Sequence, residues 1–594
     1  MKPDFVFEIS WEVCNKVGGI YTVVRSKVPR MIENYGGSYF LIGPLFSARA
    51  QGEFQEIMPP ENFKPIFESL KQQGIFVHYG KWMVDGEPKV LLIDFSAFTR
   101  SKNDIKTKLW EKFGIDSLLT SYYDFDEPVI WATAVGKVIE EFARKFPDKK
   151  FVAHFHEWLA GAGLLYLKMN KMSVATVFTT HATVLGRSMA SQRNDFYEVL
   201  DSPDVEEEGL KMASKAKHQL EKASAHNASV FTTVSEITAF EAERLLKKRP
   251  DVLLPNGLDI GRFLTFEELT IKHQVFKRRV KEFAMYHFFP YYGFDIDDLL
   301  VFFIAGRYEF KDKGVDIFIK ALGKLNQRLI DEKSNKTILT FFWIPGNVRG
   351  VKHEVLESKT FYQDVKDLIL ENLEEIKESI LKDLLLQKKL CEESIFTESI
   401  QLDSKKKVMR FLKKGTPPVA THNLYDEEKD DILNGFNDAK LRNESSDRVK
   451  VIFYPIYLTS ADGLLDLGYY ETMIGSNLGV FPSYYEPWGY TPLETGALGV
   501  PSVTTDLAGF GRFIEKEVKY GPDQGIYILK RLHRSEEDVV NSLASFMYDF
   551  INCPKEVRIK NKFEARRLAS LADWAILIKN YFNAHNLALE RTYH

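Results

Sequence analysis

Short apolar runs that break into a polar or glycine turn and then a helix recur along this 594-residue chain, and no other feature limits its fold as much. Residues 5–9 lead through Asn15-Lys16-Val17-Gly18-Gly19 into a helical pattern over 20–29. FVAHFHEWLAG (151–161) repeats the arrangement, as does 174–183 with Gly186-Arg187 just beyond it, and as does 230–235 before a helix over 239–247. Residues 251–257 read as a short strand ending in the turn Asn256-Gly257. Strands of this length alternating with helices predict a parallel sheet with polar residues gathered at the strands' C-terminal ends. A second unit begins near Leu299, where LVFFIAG (300–306) is a continuous apolar run of the kind buried on both faces. The length agrees, since it is several times that of a usual domain.

Two places combine such a turn with charge. After residues 300–306 come Arg307, Glu309, Lys311, Lys313 and Gly314. Cations six apart, Arg307 and Lys313, between a strand end and a helix start would clamp a diphosphate, although an exposed charged turn reads the same way. The second place is FPSYYEPWGYTPLETGALGVPSVTT (481–505), read as strand, tight turn and helix. Glu486 and Glu494 are separated by Pro487, Gly489 and Pro492, so they are not two faces of one helix. Thr491-Pro492-Leu493-Glu494 predicts a capping box with Thr491 as N-cap, Pro492 first and Glu494 third, and the free N–H groups of such a helix start suit an anion. Glu494 is therefore a cap or a site carboxylate. Glu486, in a turn that follows a strand, is the stronger functional candidate. A short strand over 502–505 and a glycine loop at Gly509 and Gly511 follow, and the chain closes in helices, including one over 568–582.

Several classes are disfavoured. A net charge of −4 gives no general attraction to nucleic acid or anionic membranes, and no apolar run reaches membrane-spanning length. The N-terminus reads as a strand rather than a signal segment, and Cys14, Cys391 and Cys553, odd in number and far apart, fit a reducing cytoplasm. No metal is expected. His154 and His156 lack a third ligand at recognisable spacing, and Asp295-Ile296-Asp297 precedes its strand and reads as a solvated loop. The Gly18-Gly19 turn is not a dinucleotide fingerprint, since G-x-G-x-x-G is missing. Residues 354–447 interrupt the α/β pattern, with Val365, Ile369, Leu373, Ile376, Ile380 and Leu384 spaced as in one long amphipathic helix. Two readings stay open: an arm packing on another subunit, or a hairpin folded on its own domain. The basic run Lys405 to Lys407 with Arg410, Lys413 and Lys414 reads as a solvated helix face.

Two doubly wound, Rossmann-like α/β domains facing an interdomain cleft, with a helical insertion in the second, are the layout of a GT-B glycosyltransferase. The chain closely resembles the glycogen synthases of the animal and fungal type, glycosyltransferase family 3. The motifs that carry the resemblance are EVCNKVGGIYTVVRSK, HFHEWLAG, FTTHATVLGR, FTTVSEITAFEAE, LPNGLDI, FFIAGRYEFKDKG, THNLYDEEKDDIL, FPSYYEPWGYTP and the closing HNLALER. The resemblance implies retaining transfer of glucose from UDP-glucose, as co-substrate, to the 4-hydroxyl at the non-reducing end of glycogen or another α-1,4-glucan. It implies that Glu486 lies near the donor glucose and Glu494 near the ribose, with Arg307 and Lys313 on the diphosphate. Tyr490 and Thr491 match backbone donors at the helix start, and Tyr469 a ring stacked on uracil. Lys16, Gly18 and Gly19 match a loop over the phosphates, and His181, Arg187 and Asn256 residues around the donor sugar and the scissile bond. Retention would come from attack on the face the leaving group departs, with a phosphate oxygen taking the acceptor proton, unlike the two-carboxylate hydrolases.

The division expected is residues 1–280, rejoined by a helix over about 565–594, against 281–564, with 354–447 inserted. A homo-oligomer through the insertion and a cytoplasmic location are further expectations. One departure stands out. Before Leu571-Ala572-Asp573-Trp574, where the family carries an arginine cluster for glucose 6-phosphate, the chain reads Lys555, Glu556, Arg558, Lys562 and Glu564. Carboxylates there oppose a phosphate, so activation by that effector is not expected. Nor are long phosphorylatable tails expected on either side of residues 5–594, which makes the expected enzyme constitutive. A silent carbohydrate-binding protein would have little reason to keep both glutamates and both cations, and a phosphorylase would need a pyridoxal phosphate motif that the chain does not show.

Overall fold

The apolar runs assemble into two separate sheets in a computed structural model that describes residues 2–120, 123–193 and 195–594. The first contains β1 (Phe5–Ile9), β2 (Tyr39–Pro44), β3 (Phe54–Glu56), β4 (Phe76–Trp82), β5 (Lys89–Asp94), β6 (Phe151–His156), β7 (Ala175–Thr180), β8 (Val230–Thr233) and β9 (Val252–Leu253). Their spatial order is β3-β4-β5-β2-β1-β6-β7-β8-β9, antiparallel from β3 to β5 and parallel thereafter. The second contains β10 (Leu300–Ala305), β11 (Ile338–Trp343), β14 (Val449–Phe453), β15 (Leu478–Val480), β16 (Ser502–Thr505) and β17 (Ile526–Leu529), ordered β14-β11-β10-β15-β16-β17 and parallel throughout. A small antiparallel pair, β12 (Val348–Val351) and β13 (His422–Leu424), stands apart from both sheets.

Strands β2, β6, β7, β8, β10 and β11 are buried along their whole length, which is why they read as unbroken apolar runs. His154, His156 and Thr179 are exceptions inside this core and must find polar partners there. In a doubly wound sheet a crevice opens at the carboxyl ends where strand order reverses. Here that falls between β1 and β6 in the first sheet and between β10 and β15 in the second. The segments after β1, β10 and β15 carry Lys16, Gly18, Gly19, Arg307, Lys313, Glu486, Tyr490, Thr491 and Glu494, while His181 and Arg187 follow β7, Asn256 follows β9 and Tyr469 follows β14.

Four local expectations are corrected. The first helix runs through Pro29 to cover Gly19–Tyr35. The insertion is not one long helix: His353–Glu371 and Leu373–Leu385 are broken at Asn372, and Glu398–Phe411 folds back against the first of them. Gly509 and Gly511 lie in a short helix, Gly509–Ile514, rather than a loop. The closing segment is two helices, Lys555–Ser570 and Trp574–Tyr593, because Asp573 caps the second by accepting from the Ala575 N–H.

That last helix returns to the first sheet and packs along β6, β7 and β8. Its His585 takes Tyr35 Oη at 2.9 Å and His154 at 3.1 Å, and its start is stitched to the Gly257-Leu258 turn by Trp574 N–H donating to Leu258 O. One continuous cluster of buried side chains holds Val24 and Trp82 of the first unit together with Trp488, Leu493 and Phe510 of the second. No helix among the described residues is long and apolar enough to cross a membrane.

Candidate active site

The second-unit crevice is built by two loops that touch backbone to backbone. Gly314 has φ +69°, and a Cβ there would lie 1.9 Å from Pro482 O, so only glycine permits the approach. Tyr484 and Tyr485 N–H both donate to Asp312 O, at 2.8 and 3.1 Å, which locks the loops in register. The result is Lys313 Nζ on Glu486 Oε2 at 2.5 Å, with each side chain 20% exposed. Arg307 pairs with Glu309 at 2.8 Å and is 61% exposed. The two cations foreseen for a diphosphate are thus both present at this crevice, each resting on a carboxylate.

The helix after this turn is Tyr490–Ala497, and its N-cap is Gly489, not Thr491. The capping-box expectation is therefore wrong. Thr491 is second, and Pro492 sits third without loss because the first turn's N–H groups have no intrahelical acceptor anyway. Among the described residues no side chain caps the helix, which leaves its first N–H groups available. Glu494 is the fifth residue and accepts from Tyr470 Oη at 2.9 Å and Tyr469 Oη at 3.3 Å. Burial pushes its carboxyl up to about 7, against the pull of those hydroxyls and of Lys16 from the first unit.

The first-unit crevice is organised by carboxylates that sequence reasoning missed. Glu12 Oε2 accepts from Gly18 N–H at 2.7 Å and Tyr21 N–H at 2.9 Å, so of the glycine pair Gly18 already has its N–H on a carboxylate. Lys16 is exposed beside them. After β6, Glu157 adopts φ +67° and accepts from His181 N–H at 2.8 Å and Ala182 N–H at 3.1 Å. Glu221 accepts from Val184 N–H at 2.9 Å. Glu241 accepts from Thr183 Oγ1 at 3.1 Å. Three buried carboxylates therefore hold the turn that carries His181 and leads to Arg187, and burial pushes Glu157 and Glu241 up to about 7. Arg187 is exposed to solvent; the desolvation it meets in the crevice works against its charge, but Tyr485, Glu157, Glu309 and Glu486 outweigh that and raise its guanidinium above the ordinary value. Asn256 is 4% exposed, and its Oδ1 has no partner among the described residues.

The two crevices meet. Tyr485 Oη donates to Glu241 at 3.1 Å, Tyr484 Oη accepts from Phe196 N–H at 2.7 Å, and Tyr490 Oη donates to Gly257 O at 3.3 Å. A Cβ on Gly509 would lie 2.2 Å from Pro487 O on its own unit and 2.6 Å from Ser235 Cβ on the other, so glycine lets the second unit's backbone approach the Ser235 side chain across the seam. The structure thus brings Glu486, Lys313, Arg307, Arg187 and His181 to one seam, and Lys16 with Glu494, Tyr469 and Tyr490 to its flank.

Glu8, His154 and His156 bring ligand atoms within 4.8 Å of one another. Lys27 is salt-bridged to Glu8, and both His154 nitrogens are taken, by His585 and Thr179. A cation placed there would meet an ammonium and a ring with no free lone pair. Asp295 caps its own turn by accepting from Asp297 N–H, and Asp297 pairs with Lys281.

Two doubly wound units, their switch-point crevices apposed, one cationic with an uncapped helix N-terminus and the other lined by histidine, arginine and buried carboxylates, define a glycosyltransferase of the GT-B type. The fold is shared by the catalytic domain of starch synthase IV from Arabidopsis thaliana, solved with ADP and acarbose (TM-score 0.53, 13% identity, 99% of this chain and 100% of that one). Residues 8–594 match the family model described as glycogen synthase. The chain is 37% identical to the glycogen [starch] synthase of Neurospora crassa, over 100% of this chain and 85% of that one. It is 38% identical to the liver enzyme of Mus musculus, over 99% and 84%. The chain belongs to the glycogen synthase family.

Of the residues missed, Glu157 was within reach as the one carboxylate in HFHEWLAG, while Glu241 is one of three glutamates in FTTVSEITAFEAE and is not singled out by it. Glu12 opens the stretch EVCNKVGGIYTVVRSK, and Glu221 carries no signal beyond being an acid on a segment that turns out to be buried.

Proposed function

We propose that this protein transfers glucose from UDP-glucose, with retention, to the 4-hydroxyl at the non-reducing end of an α-1,4-glucan, without activation by glucose 6-phosphate. The observation that carries the reading is the Lys313–Glu486 pair, 2.5 Å apart, at the switch point of the second sheet. Negative charge building on the departing UDP phosphate is stabilised by Arg307, Lys313 and the uncapped N–H groups at Tyr490 and Thr491. As the phosphate takes over the two cations, Glu486 is freed toward the hydroxyls of the donor glucose, whose anomeric centre becomes oxocarbenium-like. Glu494 faces the ribose, and Tyr469 the uracil. His181, Arg187 and Asn256 surround the donor sugar from the first unit, with Lys16, Gly18 and Gly19 over the phosphates. No side chain acts as nucleophile: the acceptor attacks from the face the phosphate leaves, and a phosphate oxygen takes its proton. No metal is needed, because the cations and the helix start supply the positive charge. Closure of the seam excludes water.

Residues 1–280 with 565–594 form the acceptor unit and 281–564 the nucleotide-sugar unit on this reading. The insertion, whose Leu381, Leu384, Leu385 and Leu386 are exposed, joins copies into an oligomer in the cytoplasm. In the helix Lys555–Ser570, Glu564 is paired with Arg567 at 2.7 Å and opposes a sugar phosphate. The test is label transfer to glycogen from UDP-glucose, ADP-glucose and UDP-N-acetylglucosamine, each with and without glucose 6-phosphate. Transfer from UDP-glucose at the same rate in both conditions is expected; a several-fold rise with the effector would refute the regulatory part, and preference for another donor the rest.

A further inference from the structure

Behind His181 runs a chain of buried polar groups that the chemistry above leaves unused. His181 Nε2 is 2.9 Å from His156 Nδ1, and His156 Nε2 is 2.7 Å from Glu8 Oε1. Glu8 is fully buried, His156 1% exposed and His181 7% exposed. The same Glu8 carboxylate is salt-bridged to the fully buried Lys27, and its Oε2 accepts from Tyr39 Oη at 2.5 Å.

These partners fix where the protons are. An ionised carboxylate only accepts, so His156 donates through Nε2. Whether His156 also carries a proton on Nδ1 decides the rest. A second buried cation beside Lys27 would leave one carboxylate to balance two charges out of water. Burial and Lys27 hold the His156 imidazole below its ordinary value in spite of Glu8. A neutral His156 presents Nδ1 as an acceptor. His181 must then donate through Nε2, and its Nδ1, which has no protein partner among the described residues, is left without a proton.

We propose that Glu8 is a positioning residue for glucosyl transfer: through His156 it locks His181 in the Nε2–H tautomer, so that His181 meets the donor sugar with Nδ1 as acceptor for one of its hydroxyl groups. The proposal rests on the reading that His181 lies against the donor glucose. Lys27 keeps Glu8 ionised, and Glu157, holding the His181 N–H, fixes the ring's origin while Glu8 fixes its polarity.

Two measurements on the full-length protein test it. Two-bond ¹H–¹⁵N correlation spectra of histidine-labelled protein, with the His181 signals assigned by their loss in His181→Gln, are expected to show Nε2 protonated and Nδ1 bare. Glu8→Gln is expected to mix the two tautomers and to lower kcat about tenfold while KM for UDP-glucose changes less than about twofold. In a His181→Ala background the same substitution is expected to cost less than about twofold, because residues that act as one unit are not additive. Glu8→Gln/Lys27→Met, made alongside, removes both buried charges together and covers the case in which Glu8→Gln alone does not fold. A proton on Nδ1 of His181 in the unsubstituted protein would overturn the proposal, as would an equal cost of Glu8→Gln in both backgrounds. Wild-type turnover in His181→Ala would overturn the placement of His181 at the sugar and with it the role of Glu8, while the spectrum still reports the tautomer separately.

Discussion

The two crevices solve opposite problems. On the second unit the charged groups stand at the surface: Arg307 is 61% exposed, Lys313 and Glu486 are 20% exposed, and the Tyr490–Ala497 helix has no side-chain cap. On the first unit Lys16 and Arg187 are exposed but the acidic groups are sealed in, with Glu157 at 8%, Glu221 at 0% and Glu241 at 1%, each committed to a backbone or side-chain donor nearby. One side keeps its electrostatics available to an incoming anion, and the other uses buried carboxylates to hold a turn in place. Catalysis by charge stabilisation needs the first arrangement, and precision of placement needs the second.

The sharpest way to break this contrast is to remove charge from the available side. Arg307→Ala and Lys313→Ala are each expected to lower kcat by about 10²–10³-fold, the range found when a preorganised stabiliser of leaving-group charge is lost. Glu486→Gln, which removes the carboxylate but keeps its shape, is expected to fall in the same range. Initial rates of nucleotide release at saturating glucan measure all three. Near-normal turnover in both Arg307→Ala and Glu486→Gln would end the assignment of this crevice to the reacting centre.

A smaller effect is expected from the sealed side. Glu157 holds the His181 and Ala182 N–H groups and adds to the field on Arg187, so Glu157→Ala lets that turn relax without deleting a reacting group. A loss of about tenfold in kcat is expected, with most of it restored in Glu157→Gln, whose amide oxygen still accepts both bonds. If Glu157→Ala cost as much as Arg307→Ala, the distinction between a charged side and a positioning side would collapse.

The same contrast explains what could be read from the residues beforehand. Strand–turn–helix repeats were legible because buried parallel strands must be apolar along their whole length, and the exposed cations were legible because they sit where such strands end. Glu486 stood out for lying in a glycine–proline turn. The helix start was misread because Thr491-Pro492-Leu493-Glu494 satisfies a capping box locally, while Gly489, taking φ +106°, begins the helix two residues earlier. Local pattern does not contain the tertiary partner: Glu494 bonds Tyr469 and Tyr470, twenty-four residues or more away, rather than its own helix start. Glu12 and Glu221 escaped for the same reason, as their acceptor roles exist only once the chain has folded.

The finest probe of the seam is pH. Glu241, bonded to Thr183 on its own unit and to Tyr485 across the seam, has its carboxyl pushed up to about 7 by burial, those hydroxyls opposing. A carboxyl raised on folding binds its proton more tightly in the folded state. Its contribution to stability is therefore whole below its ordinary value of 4.5 and is lost as pH rises through about 7. The unsubstituted protein is expected to lose melting temperature between pH 6 and pH 8, with Glu157 and Glu494 adding to the same fall. Glu241→Gln, neutral at every pH and able to keep an oxygen on Tyr485, is expected to flatten that fall by about 1–2 °C, a small shift because the chain is long. Melting curves of the two proteins at pH 6 and pH 8 decide it: parallel curves would mean that Glu241 is ionised on both sides of neutrality and that the seam is held by a charge, as in the crevice it faces.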